Sequence, residues 1–321
     1  MADATPEMPL GSDARSGTAS VDRPRVETLI VTLCEAGRSA LLRRAIETTL
    51  KQERVSASLI VVVNGKRYDP ALLEELQRMP GVKSLYQEEP SIFLARRYAR
   101  ENVTAPYFGF LDDDDYLLPG ALRARIQVLA SDPAADVVVS NGFLHEPDGD
   151  SLLLGDIAGL QSDPLAKLML GNWLATASAL FRTATVSADC FDVTLRSNDM
   201  TFLAFRLALQ RKIVFLDSPT YCKAYSPDSI SRTEDWALPS LATLEKMLEF
   251  DVPVSIRRAL QRKCAAAAHD ISAIYLRRGD IRSAWRYHLH SLSIPWGLKR
   301  YLGYSRRLVL PLFRHERGTA A

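Results

Sequence analysis

Apolar residues along this chain follow two rhythms. Short β-branched runs read as strands buried on both faces, and they alternate with segments of helical period. "TLIVTLC" (28–34) is the first such run. "SALLRRAIETTLKQ" (39–52) follows, with Leu41, Leu42, Ala45, Ile46, Thr49 and Leu50 on one face and Arg43, Arg44, Glu47 and Lys51 on the other. That period predicts an amphipathic helix with Ser39 as its N-cap. "ASLIVVVNGK" (57–66) predicts a second buried strand closed by an Asn-Gly turn. "DPALLEELQRM" (69–79) predicts a helix capped by Asp69, with Pro70 at its first position. "VKSLYQ" (82–87) is a short strand, "SIFLARRYAREN" (91–102) a helix and "YFGFL" (107–111) a strand. The pattern continues as helix 118–130 and strand 135–144, then a loop-rich stretch over 146–171 and a strand at 176–182. Helix 197–212, with Ser197 or Asn198 near its cap, and strand 213–217 come next. Beyond residue 236 the pattern is helical throughout.

Strand and helix alternating through short turns predict an α/β unit with a mostly parallel sheet. Ligands in such sheets bind beyond the carboxyl ends of the strands. Two polar groups stand at predicted ends: Asn64-Gly65, and the four successive aspartates Asp112 to Asp115. Four adjacent like charges between two apolar runs repel one another, and a divalent cation would relieve that repulsion. Hard cations such as Mg²⁺ take oxygen ligands, commonly one or two carboxylates together with substrate phosphates. The run therefore reads as a metal–diphosphate site with Asp112 and Asp114 as a spaced DxD pair; a solvated acidic turn is the plainer alternative.

Composition narrows the class without choosing the chemistry. Hydrophobic residues make up 47% and charged residues 24% of 321 residues, a globular balance, and the formal charge of +2 points to no polyanionic partner. Cys34, Cys190, Cys222 and Cys264 and the five histidines show no metal-ligand spacing. A reduced chain is the simpler expectation. Residues 1–24 read as a disordered leader rather than a signal peptide, and no run of apolar residues is long enough to span a membrane.

Taken in order, "LIVTLCEAGRSALLRRAIETTLKQ", "LIVVVNG", "LARRYA" and "YFGFLDDDDYLLPGAL" resemble the inverting GT-A glycosyltransferases of family 2. "FDVTLRSNDMTFLAFRLALQRKIVFLD" and "YSPDSISR" extend the resemblance, which covers about residues 26–233. It implies a GT-A (Rossmann-like), mostly parallel sheet flanked by helices. It also implies a nucleotide-sugar donor, a sugar or lipid-linked hydroxyl acceptor, hexosyl transfer and a place in polysaccharide or glycoconjugate synthesis. Carried onto this chain, the metal (Mg²⁺ or Mn²⁺) falls to Asp114 and Asp112, and donor binding to Asp112, Asp113, Arg96, Asn64 and Thr32. The general base falls to Asp199, whose other reading is a helix-start acid stabilised by the helix dipole.

The chain departs from the family pattern at several places. Val63 stands where an aspartate usually holds the nucleobase, leaving Asn64 to bond a base edge. Val31 and Cys34 replace the usual Pro and Asn, Arg97 replaces an Asn, Asn198 replaces a Glu, and Ser226 is nearest to the usual His. A degenerate, non-catalytic binder of nucleotide sugar or glycan is therefore the competing reading. An Asp-x-Asp phosphatase is disfavoured because its motif belongs on the first strand of the domain.

The expected organisation is a leader over 1–24, a GT-A domain over 25–235 and an all-helical basic region over 236–321. From residue 255, fourteen Lys and Arg face only Asp270, Asp280 and Glu316, and "WGLKRYLGYSRRLVLPLFRH" mixes aromatic and aliphatic residues with this charge. Such a segment reads either as a peripheral membrane-surface element or as a packed cap with a solvated basic face. No nucleic-acid module is recognisable. The expected location is cytoplasmic, with contact at the inner face of the cell membrane on the first of those readings.

Overall fold

The computed structural model describes residues 23–224 and 233–314, with side chains to Val309. The leader expected over 1–24 falls almost wholly outside the described residues, as does the "SPDSISR" stretch.

The predicted alternation is present. β1 (Arg25–Thr32) passes through a 3-10 turn (Ala36–Arg38) directly into α1 (Ser39–Leu50). Ser39 is therefore not the N-cap expected from its chemistry. Arg38 holds that position and makes no side-chain cap bond, because the 3-10 turn feeds the helix from below. β2 (Ser56–Asn64), α2 (Pro70–Arg78), β3 (Val82–Gln87), α3 (Ile92–Glu101) and β4 (Tyr107–Asp112) follow. Asp69 and Ser91 cap α2 and α3 by accepting from Ala71 N and Leu94 N. Next come β5 (Tyr116–Leu117), α4 (Ala121–Ser131), β6 (Val137–Glu146) and β7 (Gly149–Leu152). The stretch expected to be loop-rich holds β7 and two short helices, α5 (Ile157–Ser162) and α6 (Pro164–Leu168), each begun by an aspartate cap. These elements are too short for periodicity to reveal.

β8 (Ala179–Arg182), α7 (Asp199–Gln210) and β9 (Ile213–Ala224) complete the sheet. β9 runs beyond the predicted end at 217 because it pairs in turn with β6 and β5 through register shifts. The helices α8 (Glu234–Ala237), α9 (Ser240–Leu248), α10 (Val254–Arg277), α11 (Ile281–Ser293), α12 (Gly297–Tyr301) and α13 (Ser305–Arg314) form the C-terminal region.

The sheet order is β3-β2-β1-β4-β8-β6-β9-β5, with β7 on β6. Its first half is wholly parallel. β8 inserts antiparallel between β4 and β6, while β6 and β9 are again parallel. Strand alternation explains the unbroken apolar runs. Leu29, Ile60 and Val62 face one helical layer with Phe93, Ala99, Phe202 and Phe205, whereas Ile30, Val61 and Val63 face the other with Leu42, Ile46, Leu72 and Leu122. Both faces of the sheet are covered, so neither face of a strand can be polar. Met247, Val252, Ile256 and Leu260 of the C-terminal region belong to the first of these cores, so packing continues across residue 235. A smaller cluster around Leu241, Cys264, Ala268 and Ile271 holds the later helices together. All four cysteines are buried and free.

Candidate active site

The aspartates leave β4 at its carboxyl end, beside the end of β1, and their partners differ, with one guanidinium shared between the middle two. Asp112 lies 3.6 Å from the Arg96 guanidinium. Asp113 is buried; its Oδ2 accepts from Thr32 Oγ1 at 2.6 Å and its Oδ1 from Arg38 at 2.5 Å. Asp114 accepts from the same guanidinium at 3.0 Å, and its backbone carbonyl accepts from Arg44 at 2.7 Å. Asp115 is almost wholly buried and accepts from the backbone N–H of Ala224 at 3.0 Å. The charge of the run is thus met by Arg96 at Asp112, by Arg38 and Thr32 at the middle pair, by Arg44 on the backbone of Asp114 and by a strand amide at Asp115.

That compensation is incomplete. Asp112 ends β4 with 35% of its side chain reached by solvent. Burial raises its pKa, Arg96 and Lys223 offset this in part, and Asp114 adds to it. Asp115 is raised well above the usual carboxylate range by burial and by the charges of Asp112 and Asp114. Burial pulls Arg38 down, but its bonds to Asp113 and Asp114 outweigh this and push it up. Surplus negative charge therefore remains at the end of β4.

Asp199 opens α7 after Asn198, which takes the left-handed conformation at φ 56°. This sharp entry delivers the carboxylate onto Arg96. The Arg96 side chain is only 7% exposed; it pairs with Asp199 directly and donates to Thr176 Oγ1 at 3.3 Å. Burial lowers its pKa, and the charges of Asp199 and Asp112 more than compensate. One buried cation thus joins the acidic turn to the acid of α7. On the other side of the α7 entry, Asn198 and Thr201 line a groove of about 380 Å³ between α7 and the α9–α10 pair. Its floor includes Leu244, Met247, Leu260 and Ile271, and Lys263 also lines it.

The remaining expected residues make internal hydrogen bonds at the strand ends. Thr32 Oγ1 donates to Asp113 and accepts from Cys34 N at 2.9 Å, which commits both Thr32 and Asp113 to holding the β1 and β4 ends together. Asn64 Oδ1 accepts from Ser91 N at 3.0 Å and Gln87 Nε2 at 3.2 Å, tying the start of α3 to the β2 end. Val63 is fully buried in the α1–α2 layer. Among the described residues no group of three or more His, Cys, Asp or Glu side chains is arranged to hold a metal by itself. The oxygen-only donors Asp112 and Asp114, with uncompensated charge around them, do fit a hard cation that takes its other ligands from phosphate and water. Arg38, Arg44 and Thr176 escaped the sequence reading, and Asp115 entered it only as the last member of the acidic run. Arg38 alone carried a signal, since it follows the carboxyl end of a predicted strand.

A mostly parallel sheet with helices on both faces and an acidic turn at the end of its fourth strand is the architecture of the GT-A fold. Within it, residues 28–155 match the family model described as Glycosyl transferase family 2. Over that stretch the chain resembles family 2, and its fold is that of the GT-A structures. Solved structures resemble it at low identity. S. aureus TarS 1-349 in complex with UDP-GlcNAc superposes with TM-score 0.60 at 14% identity, over 84% of this chain and 82% of that one. The same protein in complex with UDP gives 0.55 at 15%, over 76% and 71%. At such identity the likeness speaks for the fold. No curated protein matches.

Proposed function

We propose that this chain transfers a hexose, with inversion, from a nucleotide-diphosphate donor to a hydroxyl of a sugar or lipid-linked acceptor, in cell-surface polysaccharide or glycoconjugate synthesis. The observation that carries the reading is Arg96, a buried cation that pairs with Asp199 and lies 3.6 Å from Asp112. Asp112 and Asp114 would hold Mg²⁺ or Mn²⁺, which supplies positive charge toward the diphosphate when bound. Asp199 accepts the acceptor's hydroxyl proton as the new bond from that oxygen to the sugar's anomeric carbon forms. The bond from that carbon to the diphosphate oxygen breaks, and the nucleotide diphosphate leaves. Arg96 anchors Asp199, so one carboxylate edge stays oriented toward the hydroxyl; this positioning reduces the entropy lost on the way to the transition state.

TarS structures hold UDP and UDP-GlcNAc, so a UDP-sugar is the first donor to try. The largely apolar groove beside Asn198 supports an acceptor with an apolar portion. The catalytic unit on this reading is residues 25–235. The basic region 236–321 meets the inner face of the cell membrane peripherally; among the described residues no helix is long and apolar enough to cross it.

The deciding experiment is a thermal-shift screen of UDP-, GDP- and TDP-sugars with and without Mn²⁺, followed by detection of released nucleotide diphosphate. A bound donor raises the melting temperature by mass action. Binding without any release would favour a non-catalytic binder, the reading that the burial of Val63 supports.

A further inference from the structure

We infer that the segment from Trp296 to Leu302 is a docking element for an anionic phospholipid surface, and that the rest of the C-terminal region serves to hold it in place. This deepens the peripheral contact proposed above, and its test makes no use of sugar transfer.

The segment is firmly seated from within. A Cβ at Gly297 would lie 1.6 Å from the carbonyl oxygen of Ser291, so α12 sits directly against the end of α11 and only glycine fits there. The Tyr301 ring stacks on His269 of α10 at 4.2 Å between centroids, and Tyr304 meets the same imidazole edge-on at 4.6 Å. Leu308 of α13 is fully buried.

The outward side has a different character. Trp296 is 52% exposed, Leu298 56% and Leu302 55%. Leu298 and Leu302 are four residues apart across a helical turn and so share a side. Lys299, Arg300, Arg306 and Arg307 are exposed around them. Arg262 of α10 lies over the Trp296 ring at 4.6 Å, bringing another cation to the same place.

Charge selects the occupant. Between Ile281 and His315 the chain has seven Lys and Arg and no Asp or Glu. A protein surface would ordinarily be met by charges of both signs. A single sign, interleaved with a tryptophan and two leucines on a short rigid turn, fits an anionic interface, where the rings and aliphatic chains enter the headgroup boundary and the cations meet phosphate. Tryptophan is favoured at that depth because its ring is apolar while its N–H remains able to bond.

The test is flotation of the full chain with vesicles of phosphatidylcholine alone or mixed with phosphatidylglycerol. Wild-type protein should float with the mixed vesicles at low salt, be released as salt rises, and stay behind with phosphatidylcholine alone. The triple variant Trp296→Ser, Leu298→Ser, Leu302→Ser should need about tenfold more mixed lipid or not float at all. Its melting temperature should match wild type, since all three side chains are exposed. A second variant, Lys299→Gln with Arg300→Gln, should lose most of the salt-sensitive part. Wild type that ignores mixed vesicles overturns the inference, even if it is retained by another polyanion such as RNA. A folded triple variant that floats like wild type overturns it as well. Either result leaves the glycosyltransferase reading standing, because donor binding is measured separately.

Discussion

Arg96 is a buried cation between carboxylates from two distant elements, and its position changes what a substitution at Asp199 should do. Treated as a separate pole, Asp199 could be replaced without touching donor binding. With Arg96 shared between Asp199 and Asp112, Asp199→Asn removes the base and also frees Arg96 toward the acidic turn. Turnover is expected to fall by about 10²–10⁴, with a measurable shift in donor affinity, read by kinetics and calorimetry on a working donor–acceptor pair. Turnover within about threefold of wild type would reject Asp199 as the base. Arg38 makes a second residue-scale case. It occupies Asp114 at 3.0 Å, with its own side chain 38% exposed. Asp114→Ala should abolish Mn²⁺-dependent donor binding and leave the fold intact. Arg38→Gln should tighten Mn²⁺ in the absence of donor about two- to fivefold, the modest effect expected of a solvent-screened pair. Titration calorimetry separates these outcomes, and unchanged Mn²⁺ affinity in Arg38→Gln would show that the pair does not compete with the metal.

At the scale of elements, α10, α11 and the α12 turn pack around two histidines, His288 fully buried and His269 half-buried. His288 Nε2 lies 2.8 Å from Ser305 Oγ, while the Nδ1 atoms of His288 and His269 are buried with no hydrogen-bond partner in the structure. Burial lowers the pKa of both imidazoles; at His269 the charge of Asp270 opposes this in part while Arg300 and Arg307 reinforce it, and at His288 the His269 cation reinforces it. With the folded values depressed, the unfolded chain binds more protons in mild acid. The stabilisation is full above the ordinary histidine value and is lost as pH falls through the folded values. Moving from about pH 7.5 to about pH 5 should therefore loosen α11 to α13 before the sheet. Limited proteolysis would show this as early cuts beyond residue 278; cuts appearing equally in α1 to α4 would contradict it. The cap of α2 gives a simpler check. Asp69 Oδ1 accepts from Ala71 N at 2.9 Å, so Asp69→Ala should destabilise by about 1 kcal/mol, seen in denaturant unfolding as a lower midpoint at unchanged slope.

On the scale of the whole molecule, the basic tail is not a detachable appendage. Ile256 and Leu260 lie in the same core as Phe202 and Phe205. A chain ending near Pro253, which composition alone would suggest as a clean cut, strips two buried side chains worth about 1.5–3 kcal/mol each. It should express poorly or melt well below the full chain; a truncation as stable as the full chain would refute this packing role. Much of the architecture was nonetheless legible in advance, because strand and helix periodicity is written by contacts between near neighbours in the chain. The runs around Leu29, Ile60 and Phe108 declared a sheet covered on both faces, and the acids after Leu111 declared a strand-end site. Tertiary structure alone decided which partner each of those acids took. Asp113 meets Arg38 across 75 residues and Asp199 meets Arg96 across 103, separations at which no local pattern survives. The same holds for Thr32 and Asn64, polar side chains at the right strand ends whose bonds turned inward to hold loops. By itself the sequence determined that the acidic run would stand at a strand end, since side-chain period and strand-end position are local properties. Only the fold could decide which charges compensate one another there, because that depends on distances set by the packing of the sheet and its two helical layers.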